Sequence, residues 1–185
     1  MPRKSYAQLI SDLRGIGLGV LGTHFVAGTL KSCSSTAPQV AAYLQEIGHT
    51  VSSYGGARGY SGHYDLGVLT SDQGWIGVDP TYMQFGCVYE TERDEDEHLL
   101  APMVSHFRDI LQDPLAAFEI LPLKGSRTPA APLGPAGPGS WSRDGTWAHH
   151  WARMADYAQR ALEAASGRGR MRRIPYYARL VADGA

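Results

Sequence analysis

Two short β-rich runs joined by five turn residues constrain this chain more than any other feature. Residues 63–69, His-Tyr-Asp-Leu-Gly-Val-Leu, and residues 75–79, Trp-Ile-Gly-Val-Asp, flank Thr70-Ser71-Asp72-Gln73-Gly74. β-rich runs on either side of such turn chemistry read as an antiparallel hairpin. Strand alternation then assigns faces. His63, Asp65, Gly67 and Leu69 share one face of the first strand, and Trp75, Gly77 and Asp79 share one face of the second. Pairing Gly67 with Gly77 sets Asp65 opposite Asp79, with His63 on the diagonal. A register one step tighter sets His63 opposite Asp79. In either register a carboxylate reaches the imidazole across about 5–8 Å between β-carbons. The facing glycines are expected to let a helix approach closely and bring Cys33 over the sheet.

The other elements fit around that hairpin. Tyr6, Leu9, Ile10 and Leu13 are spaced as one helical face over 5–14, and Gly15-Ile16-Gly17-Leu18-Gly19 is expected to end that helix. Residues 37–47 read as a buried helix with Val40, Tyr43, Leu44 and Ile47 on its apolar face. It starts between Cys33 and Ala37, with Ser34, Ser35 and Thr36 as candidate caps. Pro38 belongs in its first turn, and Gly48 stops it. Residues 50–54 and 84–89 add strands to an antiparallel meander, and 117–123 supply one more. The acidic run Glu92–Glu97 leads into a helix over 97–112, where its charge suits the helix start. Residues 125–145 hold Pro129, Pro132, Pro135 and Pro138 with few aliphatics, as a linker or loop does. A helix follows at 147–165, with Trp147, Trp151, Met154, Tyr157, Ala158 and Leu162 along one side. The expected organisation is an α+β core over 1–124, a Pro/Gly-rich linker or loop over 125–146, and a C-terminal helix with a basic tail (Arg168, Arg170, Arg172, Arg173) over 147–185, docked on the core.

Composition narrows the function classes. At 185 residues, 43% hydrophobic and 19% charged, the chain has enough apolar content for one real core. Seventeen basic residues against 18 acidic give a net charge of -1, which argues against a nucleic-acid footprint. No apolar run approaches the roughly 20 residues of a membrane helix. The residues after Met1 lack a signal-like apolar stretch, so a cytoplasmic location is expected. Two cysteines make no disulfide framework. Asparagine is absent, which excludes a Cys-His-Asn site, and arginine outnumbers lysine 14 to 3, as in GC-rich bacterial genomes. His24 and His49 could join Cys33 and His63 around zinc, but no Cys-x-x-Cys or His-x-x-x-His pair supports it. His149 and His150 point about 100° apart on a helix, a poor chelating pair.

Cys33, His63 and Asp79 together carry chemistry. A helix start offers unpaired N–H groups and partial positive charge. A thiol there is pulled toward thiolate, and the same donors can hold an oxyanion. His63 supplies a base, and Asp79 orients it; Asp65, on the His63 face, is the rival orienter. Tyr64, Trp75 and Tyr82 flank these positions and are candidates to line a substrate cleft. Cys87 reads as a packing residue.

The segments "SCSSTAPQVAAYLQEIGH", "GHYDLGVL" and "GWIGVDPTY" resemble the three core motifs of the transglutaminase-like cysteine enzyme superfamily. The likeness spans about residues 30–85. It implies a papain-like α+β core, an antiparallel sheet packed on the helix that follows the nucleophilic cysteine. Cys33 then carries over as nucleophile, His63 as general base and acid, and Asp79, in Trp75-x-x-x-Asp79-Pro80-Thr81, as the orienting group. The implied activity is acyl transfer through a thioester acyl-enzyme, as amidase, peptidase or amide-forming acyltransferase, on a small-molecule, peptide or carrier-bound acyl substrate. This chemistry needs no cofactor. Ser34 after the cysteine, Pro38, and Tyr64-Asp65 after the histidine depart from the family pattern and motivate the alternative, an inactive binding or adaptor module on the same fold.

Overall fold

Ser5 and Gln8 begin the first helix with a reciprocal cap. The Gln8 N–H donates to Ser5 Oγ (3.3 Å) and the Ser5 N–H donates to Gln8 Oε1 (2.8 Å), satisfying two donors that a helix start leaves unpaired. In the computed structural model, which describes residues 2–27, 33–55, 64–82, 109–125, 129 and 146–166, this helix, α1 (Tyr6–Ala27), runs 22 residues. It does not stop at the glycines, as the sequence reading expected. Each interior glycine costs about 1 kcal/mol of helix propensity, but packing outweighs that here. A Cβ at Gly17 would collide with the Pro114 carbonyl, one at Gly22 with the Met154 carbonyl, and one at Gly19 would stand 2.7 Å from the Trp151 oxygen. The glycines form the bare strip on which other segments lie.

The second helix, α2 (Cys33–Glu46), opens on Cys33. Pro38 therefore sits in its second turn rather than its first, and it offers no N–H to the carbonyl of Ser34 four residues earlier. Gly48 ends the helix as expected, at φ 96°. The His49 N–H reaches the Leu44 carbonyl (2.8 Å) and the Gly48 N–H the Gln45 carbonyl (3.0 Å), which closes the last carbonyls.

Four strands follow in an antiparallel meander: β1 (Thr50–Gly55), β2 (Tyr64–Thr70), β3 (Gly74–Asp79) and β4 (Glu119–Pro122), in spatial order β1-β2-β3-β4. Gly67 pairs with Gly77, the first of the two registers foreseen. The β2–β3 turn closes at Gly74, φ 72°, with the Thr70 hydroxyl donating to the Gly74 carbonyl. The 84–89 strand and most of the 97–112 helix lie outside the described residues; 109–112 are helical.

One face of the sheet, Val51, Leu66, Val68, Ile76 and Val78, joins Leu9, Leu13, Ile16 and Val20 of α1 and Ala37, Val40 and Leu44 of α2 in a single core. The opposite face carries the paired glycines. No helix comes over them among the described residues. The side chain of Pro129 lies on Gly67 and that of Leu123 on Gly77, so the expectation of a helix there is corrected, because α2 covers the other face. Pro129, expected within the linker or loop, touches the sheet.

The last described helix, α3 (Trp147–Ser166), starts with Thr146 as its cap, whose Oγ1 accepts from the His149 N–H (3.3 Å). It docks on α1, burying Trp147, Trp151, Tyr157 and Ala158 in the same core. Among the described residues, no helix is long and apolar enough to cross a membrane.

Candidate functional site

α1 is held along β3 by a contact at each end. The Tyr6 N–H donates to Asp72 Oδ1 in the β2–β3 turn (2.8 Å). At the other end His24 Nε2–H donates to the Pro80 carbonyl just beyond β3 (3.2 Å). The lengths match: eighteen residues of helix rise about 27 Å, close to the span of the hairpin arm from its turn to Pro80. α2 runs antiparallel to α1. Thr36 in its first half meets Thr23, with 3.2 Å between hydroxyl oxygens, and His49 just past its end meets Asp12, Nε2 to Oδ2 2.8 Å. The Thr23 hydroxyl also donates to the Val20 carbonyl (2.7 Å), so Thr36 is the donor between the two threonines.

These contacts gather three chain positions at one end of the molecule. The N-terminus of α2, where Cys33 stands, lies one turn before Thr36. The C-terminus of β3 delivers Asp79, which strand alternation sets on the glycine face while α2 packs on the other, so α2 and Asp79 share an end of the sheet and not a face. The start of β2, at Tyr64, lies beside Asp79 and Pro80 because the strands are antiparallel. The side chain of Cys33, and His63 altogether, lie outside the described residues, as does Cys87.

Asp79 is buried and its Oδ1 accepts two bonds, from the Thr81 N–H (2.8 Å) and the Thr81 hydroxyl (3.1 Å). Pro80 between them fixes φ and has no N–H of its own, so the turn holds the carboxyl rigidly. Carrying the register one residue past Leu66–Val78 sets Asp65 beside Asp79, and Asp79 pairs with Glu119 on β4. Three carboxyl side chains thus form a row across β2, β3 and β4, with Asp65 and Asp79 buried. Like charges opposite each other repel, so such a row favours a cation or a protonated imidazole nearby.

The flanking aromatics divide. Tyr64 is exposed at the start of β2, and Trp75 stands half-buried beside Gly67 on the glycine face. The Tyr82 hydroxyl donates to the Ala116 carbonyl (2.7 Å), tying it to the 3-10 turn Pro114–Ala117; this gives it a structural duty.

His24, which in the sequence suggests at most a zinc ligand, is a further residue at this end of the molecule. It is 3% exposed. Burial holds its imidazole below the ordinary histidine range, against the raising effects of the Pro80 carbonyl and the Asp79 charge. Its signal was present: His24 continues the stripe Leu9, Leu13, Ile16, Val20 once α1 is carried through the glycines. Among the described residues, no group of three His, Cys, Asp or Glu side chains is placed to hold a metal ion. Comparison with family models, with curated proteins and with solved structures finds no match to this chain.

Proposed function

We propose that this chain is a cysteine-dependent acyl-transfer enzyme with a transglutaminase-like, papain-like core, in which Cys33 is the nucleophile, His63 the general base and acid, and Asp79 the orienting carboxylate. The observation that supports this reading is that the α2 N-terminus, the start of β2 and the Asp79 end of β3 lie at the same end of the sheet. The thiol proton passes to His63 and the thiolate attacks an amide, ester or thioester carbonyl. First-turn N–H groups of α2 offer donors for the oxyanion. The tetrahedral species collapses as His63 returns the proton to the leaving group, giving an acyl-Cys33 thioester. Water then completes hydrolysis, or an amine completes amide formation.

A second reading, a binding module on the same fold, draws on Pro38. A proline in the second turn loosens the helix end that would supply the oxyanion donors. Intact-protein mass spectrometry separates the two. Incubation with activated acyl thioesters and peptide esters is expected to give an adduct that Cys33→Ala abolishes and Cys87→Ala keeps. No Cys33 adduct across that panel, with a thiol that titrates like free cysteine, would favour the module.

A further inference from the structure

Near its C-terminal end α1 reaches in two directions from consecutive residues. Thr23 bonds Thr36, one turn into the helix that opens with Cys33. His24 bonds the carbonyl of Pro80, the residue after Asp79. All five are buried: Thr36 is 0% exposed and Asp79 4% exposed. The Asp79 turn is therefore closed on itself by Thr81 and tied to α1 by His24 at the Pro80 carbonyl. Asp79 and the α2 N-terminus are far apart in sequence, and the described part of α1 bridges them with one side chain on each.

From this geometry we infer that Thr23 and His24 are positioning residues, a two-armed clamp that sets the distance between the α2 N-terminus and the Asp79 turn. The inference rests on the acyl-transfer reading for what the clamp serves. His24 acts through its Nε2–H donor on the Pro80 carbonyl, not through proton transfer. A hydrogen-bond donor at the same place should therefore replace it, and an apolar residue should not. Glutamine carries an amide N–H at the position of Nε2, whereas leucine carries none. Breaking either arm frees the α2 start relative to Asp79, so the thiol loses the base that Asp79 orients.

The test is the pH dependence of Cys33 alkylation by iodoacetamide in a Cys87→Ala background, with folding of each variant checked by thermal unfolding. The parent is expected to show a thiol pKa below that of free cysteine. His24→Leu is expected to slow alkylation at pH near 6 by about tenfold, a shift of about one pKa unit. His24→Gln is expected to restore the parent profile. Thr23→Val, which keeps shape and cuts the other arm, is expected to act like His24→Leu, and it carries the test if His24→Leu does not fold. Folded His24→Leu and Thr23→Val proteins with the parent profile would overturn the clamp alone. Equal losses in His24→Gln and His24→Leu would overturn it, because the Nε2–H donor would then not be what His24 contributes. A parent thiol that behaves as free cysteine would overturn the clamp together with the acyl-transfer reading, so the two failures are told apart.

Discussion

Gly22 of α1 lies directly against the main chain of Met154 in α3: a Cβ there would collide with the Met154 carbonyl oxygen and stand 2.8 Å from its carbon. The obstacle is backbone, which cannot swing aside as a flexible side chain does. Gly15, in the same helix, has nothing within 4 Å of the corresponding position. The two glycines should therefore respond oppositely to alanine. Gly15→Ala gains helix propensity without a clash and is expected to raise stability by about 0.5–1 kcal/mol. Gly22→Ala must push the two helices apart and is expected to lower it by about 1–3 kcal/mol. Urea unfolding of both variants checks this; a loss at Gly15 or a gain at Gly22 would contradict the close approach of α1 and α3.

His24, His49 and His150 all lie below the ordinary histidine range, with burial the largest cause for each. The Pro80 carbonyl and Asp79 oppose it at His24, Asp12 opposes it at His49, and Arg153 adds to it at His150. An unfolded chain protonates these imidazoles near pH 6.5, and the folded chain only at lower pH. Between those values the unfolded state binds more protons, so stability rises with pH. The contribution is fully present above about pH 6.5 and is lost as pH falls through that value toward the folded ones. The urea midpoint is expected to hold steady at mildly alkaline pH and to drop on acidification toward about pH 5. His150→Gln, which removes one of the three titrations, should flatten that drop; a midpoint that ignores pH over this range would mean the imidazoles charge freely in the native state.

What was legible in the sequence was whatever local chemistry decides. The β2–β3 hairpin, the Gly48 stop and the C-terminal helix all follow from turn residues, alternation and helical period, and each is present; local chemistry left two registers for the hairpin, of which Gly67–Gly77 is the one formed. Two matters settled by tertiary packing were not legible. Gly15, Gly17 and Gly19 read locally as breakers, yet they lie inside α1, with Pro114 on Gly17 and Trp151 on Gly19. The face of the sheet that α2 covers is not legible for a similar reason: glycine permits close approach, but Pro129 and Leu123 use that space. At the candidate site, Cys33 at a helix start and Asp79 at a strand end were readable from motif spacing. The His24 bond to Pro80 spans 56 residues and depends on how α1 lies along β3, which no local pattern encodes.

Trp151 is 2% exposed and is wrapped by Tyr43, Trp147 and His150, with Trp147 stacked at 6.4 Å between ring centroids. Its main chain also lies on Gly19. α3 is thus part of the core and not a free docking element. Trp151→Ala removes a large buried ring and is expected to cost about 3–5 kcal/mol, whereas His149→Ala, on the exposed side, should change stability by less than about 0.5 kcal/mol. Denaturant unfolding followed by circular dichroism avoids relying on the tryptophan signal that the substitution removes. Similar small effects from both variants would detach α3 from the core.

Asp79 and Asp65 stand side by side on β3 and β2, and the proposed mechanism gives the orienting role to the first. Asparagine at position 79 still presents a side-chain oxygen to both Thr81 donors, so the turn should survive Asp79→Asn. What it loses is the negative charge that holds an imidazole in the correct tautomer and stabilises it once protonated. Loss of such an orienter costs catalysis about 10²–10⁴-fold, with far less effect on folding. The rate of Cys33 acylation by an activated thioester, followed by mass spectrometry, is therefore expected to fall by that order in Asp79→Asn and by roughly tenfold or less in Asp65→Asn. The reverse ranking would give the orienting role to Asp65. Acylation unchanged in both single variants and in the double variant would mean that the sulfur works without a carboxylate partner, and the three-residue mechanism would fall.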